Sequence, residues 1–137
     1  MKLTVDTNVL VRAFVEDDEV QAAIAKALLG KAAVIAISLP VFCEFAWVLG
    51  RSYKIPSADI ASAIGALLDT ETVTTDVPAV EAGIAMLRGG GDFADGAIAA
   101  QGEALGGDTM VSFDKTALAL WRKAGRSVID PMSSNQE

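Results

Sequence analysis

Short apolar runs alternate along the chain with longer stretches whose apolar residues recur at helical spacing. This pattern predicts strands near residues 2–6, 33–37, 72–75, 109–112 and 127–129. Between them it predicts helices near 8–14, 18–29, 40–51, 57–69, 79–87, 93–105 and 115–123. Pro40 and Pro56 stand in or just before the first turn of a helix, where a missing N–H costs little. Gly89-Gly90-Gly91 and Gly106-Gly107 end helices and let the chain turn. The alternation points to an α/β domain with a mainly parallel sheet covered by helices. There is no internal repeat or linker, so residues 1–132 read as one domain and 133–137 as an unstructured tail.

In parallel sheets, ligands bind beyond the carboxyl ends of the strands. Asp6 and Asp114 each follow a predicted strand, and Glu44 and Asp95 lie early in the helices that would pack beside them. Such carboxylates, gathered at one sheet edge, suit a hard divalent cation bound through oxygen. Each residue also has a plainer role open to it. Asp6-Thr7-Asn8 could cap a helix, though three capping residues in a row exceed what one cap needs. Thr7 and Asn8 could equally position a ligand water.

Glu44 sits among Phe42, Phe45, Trp47, Val48 and Leu49, where a lone carboxylate is expected to be desolvated. The alternatives are a solvent-facing position or a pair with a cation such as Arg12. Asp92 could be the N-cap of the helix that carries Asp95, or an accessory metal ligand. Ser112 could bridge to a ligand water or close the turn before Asp114. Trp47, Phe42 and Trp121 read as core or interface residues rather than base-stacking platforms, and the acidic run 16–19 as a solvated helix start. Arg122, Lys123 and Arg126 fit a helix C-terminus, with a phosphate contact as the alternative. Arg12, Arg51, Lys54 and Lys115 are further cations that the pattern does not rank.

Composition narrows the chemistry. With no histidine and one cysteine, structural zinc and catalysis by Ser-His or Cys-His pairs are excluded, as is an internal disulfide. The formal charge of −7 is wrong for a protein that coats nucleic acid but not for a nuclease whose acids hold cations. The apolar stretch 32–49 is interrupted by Ser38, Pro40 and Glu44, so no membrane span is expected, and the lone Cys43 fits a reducing cytoplasm.

Taken together, Val5-Asp6-Thr7-Asn8-Val9-Leu10, Glu44 within an apolar helix, Asp92-Phe93-Ala94-Asp95-Gly96-Ala97-Ile98 and Ser112-Phe113-Asp114-Lys115 resemble the PIN-domain family. The likeness is nearest to VapC-type toxins of toxin–antitoxin pairs. It implies a three-layer α/β/α sandwich, with a quartet of Asp6, Glu44, Asp95 and Asp114 holding one or two Mg²⁺ or Mn²⁺ ions. It further implies cleavage of tRNA or rRNA loops, a homodimer, and a VapB-like antitoxin that blocks the acidic cleft. Ser112 stands where the family commonly has threonine, and Gly96 where it frequently has alanine. Two other readings compete: an inactive PIN-like module that binds RNA or protein, and an aspartate-based phosphotransfer protein. The second is disfavoured because Asn8 stands where a dehalogenase-like phosphatase needs an acid.

Overall fold

The computed structural model describes residues 1–133. The elements run β1 (Lys2–Thr4), α1 (Thr7–Val15), α2 (Glu19–Lys31), β2 (Val34–Ala36), α3 (Leu39–Arg51), α4 (Ser57–Leu68), β3 (Val73–Thr74), α5 (Val77–Arg88), α6 (Phe93–Ala104), β4 (Thr109–Val111), α7 (Lys115–Lys123) and β5 (Ser127–Ile129). These are the expected elements in the expected order. α5 begins earlier than the apolar period suggests because the Asp76 carboxylate accepts from the Ala79 amide at 3.3 Å and Pro78 lies in the first turn. Ser133 donates its amide to the Asp130 carbonyl, and the rest of the expected tail lies outside the described residues.

Every strand pairing among the described residues is parallel, as a chain of β–helix–β crossovers requires. The strands fall into two sheets, one ordered β1-β2-β3 and the other β4-β5. Leu3 pairs with Ile35 and Ile35 with Val73 in the first sheet, and Met110 pairs with Val128 in the second. The ladder between β1 and β2 continues one residue further, with the Val5 amide donating to the Ala36 carbonyl at 3.2 Å. Asp6 therefore emerges where the sheet ends.

The core is likewise divided. The larger cluster gathers Val5, Ile35 and Ile37 with Phe42, Phe45, Leu49, Ile64 and Val80. The smaller one joins Met86, Ala99, Ala117, Leu118 and Trp121. α6 belongs to both, through Phe93 and Ala97 on one side and Ala99 on the other. It can do so because it lies almost backbone to backbone against α5. A Cβ on Gly96 would stand 2.2 Å from the Ala82 carbonyl oxygen, and one on Gly83 would stand 2.4 Å from the Phe93 ring. Phe42 meets Phe93 with ring centroids 6.3 Å apart, which ties α3 to the same helix. Burying an aromatic side chain of this kind contributes about 1.5–3 kcal/mol. Among the described residues, no helix is long and apolar enough to cross a membrane.

Candidate active site

The first group of acids forms where β1 and β2 hand over to their helices. Asp6 is the N-cap of α1: its extended backbone breaks the helix, and its Oδ1 accepts from the Thr7 amide at 2.8 Å. Among the described residues, the rest of that exposed carboxylate makes no other hydrogen bond. Thr7 is buried, and its hydroxyl donates to Glu44 Oε1 at 3.4 Å, a long bond that spans from α1 to α3. Asn8 is exposed, and among the described residues its side chain makes no hydrogen bond.

Glu44 is not desolvated, contrary to the expectation drawn from its apolar neighbours. α3 turns Phe42, Phe45, Ala46 and Leu49 inward, which leaves Glu44, Trp47 and Arg51 on its open side. Nor does Arg12 pair with it. Arg12 instead serves Asp17, whose carboxyl is held below the ordinary aspartate value first by the Tyr53 hydroxyl, which donates to it at 3.0 Å, and then by Arg12, which donates at 2.9 Å. Elsewhere in the acidic run, Asp18 caps α2 and Glu16 is paired with Lys26.

The second group lies on α6 and α7. Asp92 occupies the N-cap position of α6, yet its side chain makes no capping bond, so the helix uses its backbone and leaves its carboxylate unspent. Asp95 sits one turn on, half-buried. Its carboxyl is pushed above the ordinary aspartate value, first by burial and then by the negative charges of Asp92 and Asp114. Asp114 caps α7 through the Ala117 amide at 3.1 Å. Ser112 serves the turn, accepting from the Asp114 amide at 2.9 Å. One element of this group has no counterpart in the expectations: the Trp121 indole N–H donates to the Asp95 carbonyl oxygen at 3.1 Å. The bond fixes the start of α6 against α7, and a tryptophan in an amphipathic helix hints at it only through the rule that a buried indole finds an acceptor.

The two groups meet at a cavity of about 390 Å³, whose walls include both Glu44 and Asp92. The expected residues thus form a connected chain, Asp6 to Thr7 to Glu44, across the cavity to Asp92, and on to Asp95 and Asp114. In donor chemistry they suit a hard cation, being oxygen ligands with an excess of negative charge. Among the described residues, however, no three acidic side chains close into a tight ligand set. Trp121 and Phe42 are core residues, as expected, but Trp47 is 62% exposed and is not. Arg126 closes the C-terminus of α7 through its backbone amide, which donates to the Trp121 carbonyl at 2.9 Å, while its guanidinium is engaged by Glu103 at 2.7 Å.

Parallel strands, helical crossovers and acids beyond the strand ends define an α/β fold with its candidate site at the carboxyl ends of the strands. A family model described as the PIN domain matches residues 3–124. The chain belongs to the PIN-domain family, a superfamily of nucleases that generally depend on divalent metals. No curated protein matches it closely enough to narrow the family further.

Proposed function

We propose that the protein is a metal-dependent endoribonuclease that hydrolyses phosphodiester bonds in tRNA or rRNA loops. In this reading it is the VapC-type toxin of a toxin–antitoxin pair, cytoplasmic, homodimeric, and held in check by a VapB-like antitoxin. The observation that carries the reading is the match to the PIN-domain family over residues 3–124, with Glu44 and Asp92 lining one cavity and Asp95 crowded by Asp92 and Asp114 beside it. Such crowding works against the folded protein unless a cation relieves it.

Asp6, Glu44, Asp95 and Asp114 would hold Mg²⁺ or Mn²⁺, with Asp92 as a further oxygen donor. A bound ion of this kind supplies an activated water and neutralises charge at phosphorus and at the leaving oxygen. The chain supplies position. Asp6 is aimed by its bond to the Thr7 amide, Glu44 by the Thr7 hydroxyl, and Asp95 by the grip of Trp121 on its carbonyl. Without histidine, the metal-free route through a ribose 2′-hydroxyl lacks its usual acid and base.

The test is cleavage of a panel of tRNAs and ribosomal-loop RNAs by the purified protein with Mg²⁺, with Mn²⁺ or with EDTA, beside Asp95→Asn. Discrete products are expected that need metal and vanish in the variant. Absence of cleavage, with no metal binding by calorimetry, would instead favour a PIN-like module that binds without cutting.

A further inference from the structure

α3 presents a second feature on the side that bears Glu44. Trp47 follows Glu44 by three residues and Arg51 follows Trp47 by four, so the three side chains form one stripe along the helix. The Trp47 ring is 62% exposed, which is unusual for the largest apolar side chain in a chain with ample core to bury it. The Arg51 guanidinium carbon stands over the ring at 5.8 Å from its centroid. Among the described residues Arg51 has no carboxylate partner, as is true of most of the chain's cations, so what sets it apart is its place against the Trp47 ring beside the cavity. Trp47 also walls the cavity of about 390 Å³ that Glu44 and Asp92 line, a size within the usual range of about 300–1,000 Å³ for small-ligand sites.

We propose that Trp47 and Arg51 form a substrate subsite, in which the indole stacks one unpaired nucleobase of the RNA and the guanidinium takes a neighbouring phosphate. Every base has a π-face, so an exposed indole accepts any of them, and a cation without an acidic partner is complementary to the strand that carries it. A second copy of the chain is the rival occupant, since a symmetric contact centred on Trp47 would set Glu44 against the partner's Arg51. The cavity that Trp47 shares with Glu44 and Asp92 favours the strand, and the concentration series below separates the two. The subsite rests on the nuclease reading for its position beside the reacting bond, but its binding can be read without cleavage.

The experiment follows tryptophan emission of the full-length protein in EDTA at low salt, titrated with a short single-stranded RNA and with the same strand made abasic. Trp121 is buried, so the accessible signal belongs to Trp47, and a Trp47→Phe sample supplies the baseline. Quenching by the RNA but not by the abasic strand is expected. With binding read instead by the anisotropy of a labelled RNA, Trp47→Ala should weaken it roughly 10-fold, with Trp47→Phe recovering part of the loss. In cleavage assays the loss should appear in KM rather than kcat. Arg51→Gln should lower the slope of log affinity against log salt by about 0.7, the share of one single-strand phosphate. Cleavage by a protein whose Trp47 emission ignores RNA would overturn the subsite and leave the nuclease standing. Quenching with neither cleavage nor metal binding would leave the RNA-binding site standing and overturn the nuclease. A Trp47 blue shift that grows with protein concentration in the absence of RNA would mean that a second copy covers the ring, and would also overturn the subsite.

Discussion

The Asp95 carboxyl is held above the ordinary aspartate value by burial and by two neighbouring carboxylates. A carboxyl whose value is raised on folding binds its proton more tightly in the folded state than in the unfolded chain. Ionising it therefore burdens the folded state, and stability falls as pH rises from the unfolded value to the folded one. In EDTA at neutral pH, Asp95→Asn should melt at a higher temperature than the parent. That advantage should fade once the pH drops below the ordinary value of 3.8. Equal melting temperatures at both pH values would mean that the crowding has no energetic weight. Asp6, Asp95 and Asp114 were legible as candidates because each sits at an element boundary that the hydrophobic pattern marks. Glu44 was legible as a residue but not as an environment. Its apolar neighbours suggested burial on all sides, whereas the 3.6-residue turn sends Phe42, Phe45, Ala46 and Leu49 one way and Glu44 with Trp47 the other.

Among the elements, α6 carries the tightest constraint. Its Gly96 faces the backbone of α5, so the Cβ of an alanine there would meet the Ala82 carbonyl oxygen at 2.2 Å. Gly96→Ala should cost about 1–3 kcal/mol through a forced shift between the two helices, read as a lower urea midpoint. Gly102 lies on the same helix with nothing within 4 Å of its would-be Cβ. There Gly→Ala should instead stabilise by about 0.5–1 kcal/mol. Opposite signs on one helix would separate close approach from helix propensity, and like signs would refute the packing account. Sequence periodicity located this helix well because Phe93, Ala97 and Ala100 repeat at helical spacing. It could not reveal the approach distance, since Gly96 and Gly102 look alike until a neighbour is placed. The reading of Asp92 as a cap was half legible for the same reason. The backbone takes the cap position, but whether the side chain bonds depends on geometry that spacing does not encode.

At the scale of the whole molecule, the sequence pattern foresaw one mainly parallel sheet, whereas the strands pair in two sets over two apolar clusters. Hydrogen bonding between strands distant in sequence leaves no periodic trace, so that division was invisible beforehand. Its energetic consequence is uneven stability. The cluster beneath β4, α7 and β5 is much the smaller, and these elements should open at lower free energy than α3 and β2 in native-state hydrogen exchange. Equal protection throughout would mean that the two clusters behave as one.

The division falls across the site itself. Asp6, Glu44, Asp92 and Asp95 belong to the part before the Gly106-Gly107 turn, and Asp114 to the part after it. Gly106 holds a positive φ of 106° with open space around it, an exposed break between the two. A chain severed there would leave neither fragment with the full set of acids. The shorter fragment would expose Leu118 and Trp121, the apolar surface that draws it back. On the proposed nuclease reading, mixing the two fragments would make the protein a complementation reporter, silent in pieces and active only when docking of α7 returns Asp114 to its neighbours.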